Sequence, residues 1–229
     1  MIAAGVLLAV IFGAPAHAAE SPRFPASGTV IVSRAAVHAE PSGASPVLQR
    51  LTPLDEAFNR RVVLAIARRT DADGAAWLQL RLPGRPNGGT GWVRESAVAV
   101  EPVRFGIVVW RRARVLEVYD RTRPQRPVMH AAIAVGAPGM ETPLGEYFIT
   151  GEFRPDPDTQ GVLGAWAWST SSYSKLSDWP GGGVVGIHGT SEPELLGQAV
   201  SHGCIRVDDR NVAKMRRWIG PGATVSIRR

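Results

Sequence analysis

The stretch "GIHGTSEPELLGQAVSHGCIRV", residues 186–207, holds the single cysteine of the chain, Cys204, and two of its five histidines, His188 and His202. In extended backbone, residues two apart point to one face, so His202 and Cys204 share a side if "SHGCIRV" is a strand. A free thiol has a pKa of about 8.5 and is only a few per cent thiolate at neutral pH. An adjacent base or imidazolium raises that fraction. Gly203 lets the backbone come close to a substrate and leaves the amides beside Cys204 to face an oxyanion. His188 closes the apolar run "GGGVVGIHGT", and a short connection returns the chain to the cysteine. Thiol, base and amide donors are the parts of an acyl-transfer site.

Two other readings use the same residues. His188 can be a satisfied core histidine and His202 a residue on a strand surface. His188, His202 and Cys204 can also serve as the three protein ligands of a catalytic zinc. The spacing fits no compact zinc pattern and the chain has no CxxC, so no metal is expected.

Working outward, 229 residues suit one large domain or two small ones. The net charge is +6, and only Lys175 and Lys214 among the basic residues are lysines. A basic surface attracts anions such as nucleic acid, acidic lipid or an acidic wall polymer. The arginines are scattered, with no basic helix interleaved with aromatics, so nucleic acid is not an expected partner. The run from Ile2 to Phe12 is too short to cross a bilayer. It is followed by Ala16-His17-Ala18, an A-x-A cleavage site, so residues 1–18 read as a signal peptide although no basic residue precedes Arg23. Export is expected, to the envelope or the outer face of the wall, with the membrane met only in transit. A lone thiol outside the cell is either buried and inert or kept for chemistry.

Residues 19–27, "AESPRFPAS", read as a linker. Short apolar runs then alternate with turn residues: "TVIVSRAAVHA", "VLQRLTPLDEAF", "RRVVLAIARR", "AAWLQLRL" and "WVRESAVAV". This spacing predicts a small β-barrel over residues 28–101, with Trp77 and Trp92 in its core. From residue 103 more strands follow: two in "RFGIVVWRRARVLEVYD", then "PVMHAAIAVG", "EYFITGEF" and a closing "ATVSI". Two short helices are expected. One is "SEPELLGQ", with Ser191 and Glu194 as a capping box. The other is "DRNVAKMRRWIG", with Val212, Met215 and Ile219 on its buried face and Gly220 as its C-cap. "RPDPDTQGVLGAWAWSTSSYSKLSDWPGG" reads as a lid or substrate wall, with Trp166, Trp168 and Tyr173 lining it.

The first half, on "AEPSGASPVLQRL", "AAWLQLRL" and "GTGWVRESAV", resembles a bacterial SH3-like domain. The second half resembles the L,D-transpeptidase catalytic domain. "IHGT" followed by "SHGCIRV" is similar to that family's signature, and "VGAPGMETPLGEYFIT" to its strand–loop–strand; the likeness covers residues 103–229. It implies a mainly β protein, with the SH3-like barrel followed by a β-sandwich-like catalytic domain, and a cysteine acyltransferase needing no cofactor. It implies Cys204 as nucleophile and His188 as proton donor and acceptor. Ser201, His202 and Gly203 would orient the thiol and offer oxyanion contacts. Arg206 would bind a stem carboxylate or hold the loop, with the structural role favoured. Gly189 stands where some members carry Ser or Asn, so backbone must orient His188. The resemblance further implies peptidoglycan stem peptides as substrate, 3→3 cross-links as product, carbapenems as inhibitors and a monomer as the working unit. Hydrolysis by the same site, as an L,D-carboxypeptidase, and a non-catalytic wall-binding module are the alternatives.

Overall fold

The computed structural model describes residues 23–178 and 180–229. The signal peptide expected over residues 1–18 and the start of the linker lie outside the described residues. Seven strands make a first sheet: β1 (Ala26–Val30), β2 (Ala35–His38), β3 (Val47–Leu51), β4 (Val62–Thr70), β5 (Ala76–Arg81), β6 (Thr90–Arg94) and β7 (Val98–Pro102). Their order is β3-β2-β6-β5-β4-β1-β7. Ala26 and Ser27, read from sequence as linker, already pair with β4 and β7. β5 shows why the segment is a strand. Its Leu78 and Leu80 are buried among small aliphatic side chains from β1, β2, β4 and β6, while Trp77 is buried on the other face, edge-on to the His38 ring at 5.2 Å. Trp77 belongs to the interior, and its indole N–H donates to Asp71 Oδ2 at 2.8 Å.

A second sheet is built from β8 (Phe105–Trp110), β9 (Val115–Asp120), β10 (Pro127–Gly136), β11 (Gly145–Phe153), β12 (Ala167–Tyr173), β13 (Val184–His188), β14 (Ala199–Ser201), β15 (Ile205–Val207) and β16 (Thr224–Arg228). Their order is β14-β10-β15-β13-β12-β11-β16-β8-β9, and β9 also pairs with β10, so the sheet bends round and closes on itself. Ile133, Ile149, Trp168, Ile187, Ile205 and Val225 meet inside it. The architecture is mainly β.

Three expectations are corrected. "SEPELLGQ" makes only a single 3-10 turn, Pro193–Leu195, preceded by Glu192 with no side-chain cap. Thr190 Oγ1, not Ser191, takes the Glu192 amide, and Gly197 at φ 85° turns the chain away before a helix can grow. Helix α2 (Asp209–Met215) is capped by Asp208 and buries Val212 and Met215, and Ile219 beyond it is buried too. Its C-cap is Arg216, however, and the left-handed glycine is Gly222, not Gly220. The expected lid is largely not a loop. It begins with a helical turn, α1 (Pro157–Gln160), capped by Asp156, and continues into β12 inside the sheet. β12 looks polar in sequence, yet Thr170, Ser171 and Ser172 are buried. Thr170 Oγ1 donates to the Val185 carbonyl at 2.7 Å and Ser171 Oγ accepts the Phe148 amide at 3.1 Å. For Thr170 and Ser171, hydrogen bonding to the neighbouring strands offsets the cost of burying the hydroxyl.

Candidate active site

β13 and β15 run parallel, with Ile187 opposite Ile205 and His188 opposite Arg206. Cys204 stands one residue before β15, and the register carries it to Gly186. The Gly186 amide donates to Cys204 Sγ at 3.3 Å. Gly186 and His188 are two apart in a strand and so share a face. A Cβ placed on Gly186 would lie 3.7 Å from His188 Cδ2 and 3.8 Å from Cys204 Sγ. Thiol and imidazole therefore flank the bare backbone of Gly186. Sequence reading missed this residue; its spacing two before His188 was the available signal.

His188 is buried. Its Nδ1 is hydrogen-bonded to the Gly189 carbonyl at 2.6 Å, which makes Nδ1 the N–H and leaves Nε2 as the base. Backbone thus orients the imidazole. A Cβ at Gly189 would run into Asp209 Oδ1, which accepts the Ala165 amide at 3.1 Å, so a side chain here would displace that carboxylate. Burial pushes the His188 pKa down to about 4, opposed by the Gly189 carbonyl and assisted by the Arg206 charge. Burial pushes the Cys204 thiol up, opposed by the Gly186 amide and by Arg206. The resting pair is a thiol beside a neutral imidazole.

The loop between β14 and β15 breaks the strand on which a shared face for His202 and Cys204 depended. Gly203 has φ 121° and His202 is exposed. Ser201 Oγ donates to the Cys204 carbonyl at 2.6 Å and accepts the Gly203 amide at 3.2 Å. That amide is engaged and is not the open oxyanion donor expected of it. Buried Thr142, which sequence reading did not single out, donates to the Gly203 carbonyl at 2.8 Å and accepts the Gly136 amide at 3.0 Å. Ser201 and Thr142 fix the loop that carries the thiol.

Cys204 and His188 open onto a cleft of about 740 Å³ that Trp168 and Tyr173 also line. Trp168 is fully buried, with its N–H on Glu152 Oε2 at 3.0 Å. Trp166 is not part of this lining; it packs on the core with the Arg216 guanidinium 3.8 Å above its ring. Arg206 pairs with Glu192 at 2.6 Å, which matches the structural role. Among the described residues no group of three or more His, Cys, Asp or Glu is arranged to hold a metal. Nor is any described helix long and apolar enough to cross a membrane.

The family model of the YkuD L,D-transpeptidase catalytic domain matches residues 104–227. The chain is 35% identical over 127 residues to a putative L,D-transpeptidase YkuD of Bacillus licheniformis, covering 56% of this chain and 67% of that protein. It is 30% identical over 128 residues to the Bacillus subtilis counterpart, with the same shares. Among solved structures, an L,D-transpeptidase 3 of Mycobacterium tuberculosis in complex with a faropenem-derived adduct is similar at 14% identity. The match covers 88% of this chain and 97% of that one, with a TM-score of 0.49. Bd1075 of Bdellovibrio bacteriovorus is 25% identical over 54% of this chain and 47% of that one, with a TM-score of 0.43. From β8 to β16 the chain belongs to the YkuD family of L,D-transpeptidase catalytic domains.

Proposed function

We propose that the protein is an exported peptidoglycan L,D-transpeptidase that works as a monomer through a Cys204 acyl-enzyme. The observation that carries this reading is the placement of thiol and neutral imidazole on either side of Gly186, at the floor of an open cleft. The Cys204 sulfur attacks the carbonyl of the third residue of a tetrapeptide stem while His188 Nε2 takes the thiol proton. Collapse of the tetrahedral adduct breaks the peptide bond. His188 returns the proton to the departing D-alanine amine, and a thioester remains. The side-chain amine of a second stem then attacks the thioester, His188 takes a proton from that amine and protonates the thiolate, and a 3→3 cross-link is released. Proton transfer by a positioned group contributes about 10² to 10⁴ in rate. The Gly203 amide is engaged by Ser201, so the oxyanion donor is read as another backbone amide beside the thiol; one such donor is worth roughly 3 kcal/mol.

Export follows from the apolar leader with its A-x-A site, and the basic surface suits a carboxylate-rich polymer. The N-terminal sheet is read as an SH3-like module. Mass analysis of products from purified tetrapeptide muropeptides tests the reaction. A cross-linked dimer is expected. A tripeptide alone would show water as acceptor, hence a carboxypeptidase, and no product would leave a wall-binding module.

A further inference from the structure

The cleft is not made by the catalytic half alone. Leu51, Val62, Val63, Leu82 and Pro83 of the N-terminal sheet form its opposite side. The turn between β5 and β6, "PGRPNGGT", then reaches across to the loop that follows β12. Arg85 Nη2 donates to three carbonyls of that loop, Ser174 and Gly182 at 3.0 Å and Leu176 at 3.3 Å. Its guanidinium also sits 4.8 Å from the centre of the Tyr173 ring. Asn87 reads the same point twice: its Nδ2 donates to the Tyr173 carbonyl at 2.8 Å and its Oδ1 accepts the Tyr173 amide at 2.9 Å.

The loop is shaped for this contact. Gly181, Gly182 and Gly183 all have positive φ, a run that other residues adopt only under strain. A Cβ on Gly183 would run into the Leu176 carbonyl and lie 2.6 Å from Arg85 Nη2. The glycines fold the carbonyls around the guanidinium. Tyr173 and Gly181, at the two ends of the held segment, line the cleft that contains Cys204 and His188.

We propose that the N-terminal domain completes the substrate cleft, and that Arg85 and Asn87 are positioning residues that hold residues 174–178 and 180–183 where the donor stem is received. The inference rests on the acyl-transfer reading of the cleft. A charged planar donor that serves several carbonyls and stacks on an aromatic ring is not replaced by a lysine ammonium. Arg85→Lys should therefore behave nearly as Arg85→Ala. Misplacing a substrate-contacting segment by about 1 Å costs on the order of 100-fold in rate, and a partial loosening on the order of 10-fold.

The test uses the full-length chain with Arg85→Ala, Arg85→Lys and Asn87→Ala. Amide hydrogen exchange over residues 175–183 is read alongside the rate of Cys204 acylation by a carbapenem and by a tetrapeptide donor. Faster exchange confined to that loop is expected, with a roughly tenfold lower acylation efficiency carried mainly by KM for the donor. Alkylation of Cys204 by iodoacetamide, which needs no cleft wall, should stay at the wild-type rate. Unchanged loop exchange and unchanged acylation efficiency would overturn the proposal. If the wild-type protein itself is not acylated, the acyl-transfer reading fails, and the exchange measurement still decides whether the two residues hold the loop.

Discussion

The two sheets bury very different things. In the N-terminal sheet the interior is Ala, Val, Leu and Trp, and among its described residues only His38 is a buried polar side chain. In the second sheet Thr142, Thr170, Ser171, Ser172, Ser174, His188, Thr190 and Ser201 are all buried, and they cluster on β12, β13 and the loops beside Cys204. Stability in the first sheet is ordinary apolar burial. In the second, part of the interior is a hydrogen-bonded polar lattice, which is worth little net when satisfied and is costly when one partner is lost.

The sharpest break of this comparison is at the pair itself. His188→Ala should lower acyl transfer by about 10² to 10⁴, since proton transfer to and from the reacting groups disappears. Single-turnover acylation kinetics measure it, and a loss below tenfold would remove His188 from the mechanism. His202→Ala, on an exposed side chain, should lose far less.

The burial of His188 also makes a pH signature at the site. Its folded pKa is about 4, below the unfolded value of about 6.5, so the unfolded chain takes up the proton first as pH falls. Stability from this group is complete above pH 6.5 and is lost as pH falls toward 4, by about 3 kcal/mol in total. Urea titrations between pH 7 and 4.5 should show this loss in the wild type and a flatter profile in His188→Gln. Parallel profiles would mean the imidazole is not held neutral by burial.

Thr142→Val keeps the shape but orphans the buried Gly203 carbonyl and Gly136 amide, a cost of roughly 2–3 kcal/mol. Urea unfolding measures it, and acylation should slow with it, because the loop carrying Cys204 loses one of its two supports. A neutral result would mean the polar lattice is decorative. At the other extreme, Arg68 and Glu95 form a half-exposed ion pair beside the first sheet, with Arg68 Nη2 2.9 Å from Glu95 Oε2. Arg68→Ala should lower the urea midpoint only slightly.

The site was legible in sequence where chemistry and spacing are local. "IHGT" and "SHGCIRV" carry their residue types in short runs, and the missing side chain at position 189 correctly pointed to backbone support for His188. What sequence did not show is what depends on pairing. The parallel register of β13 and β15, which brings Gly186 against Cys204, has no local signal. β12 was read as part of a lid because its buried hydroxyls mimic loop composition and their partners lie on other strands. Ser191 and Glu194 matched a capping box, but Pro193 and Gly197 bracket too few residues for a helix. Arg85 and Asn87 sit in a run of Pro and Gly that reads as a bare turn, since their partners are 86 to 97 residues away.

In the proposed mechanism the Cys204 Sγ atom accepts the acyl group. A carbapenem offers a strained carbonyl in place of the donor peptide, so whole-protein mass after exposure, followed by peptide mapping, tests it directly. One adduct, on the peptide that contains Cys204 and absent from Cys204→Ala, is the predicted result. No adduct on the wild type, or the same adduct on Cys204→Ala, would contradict it.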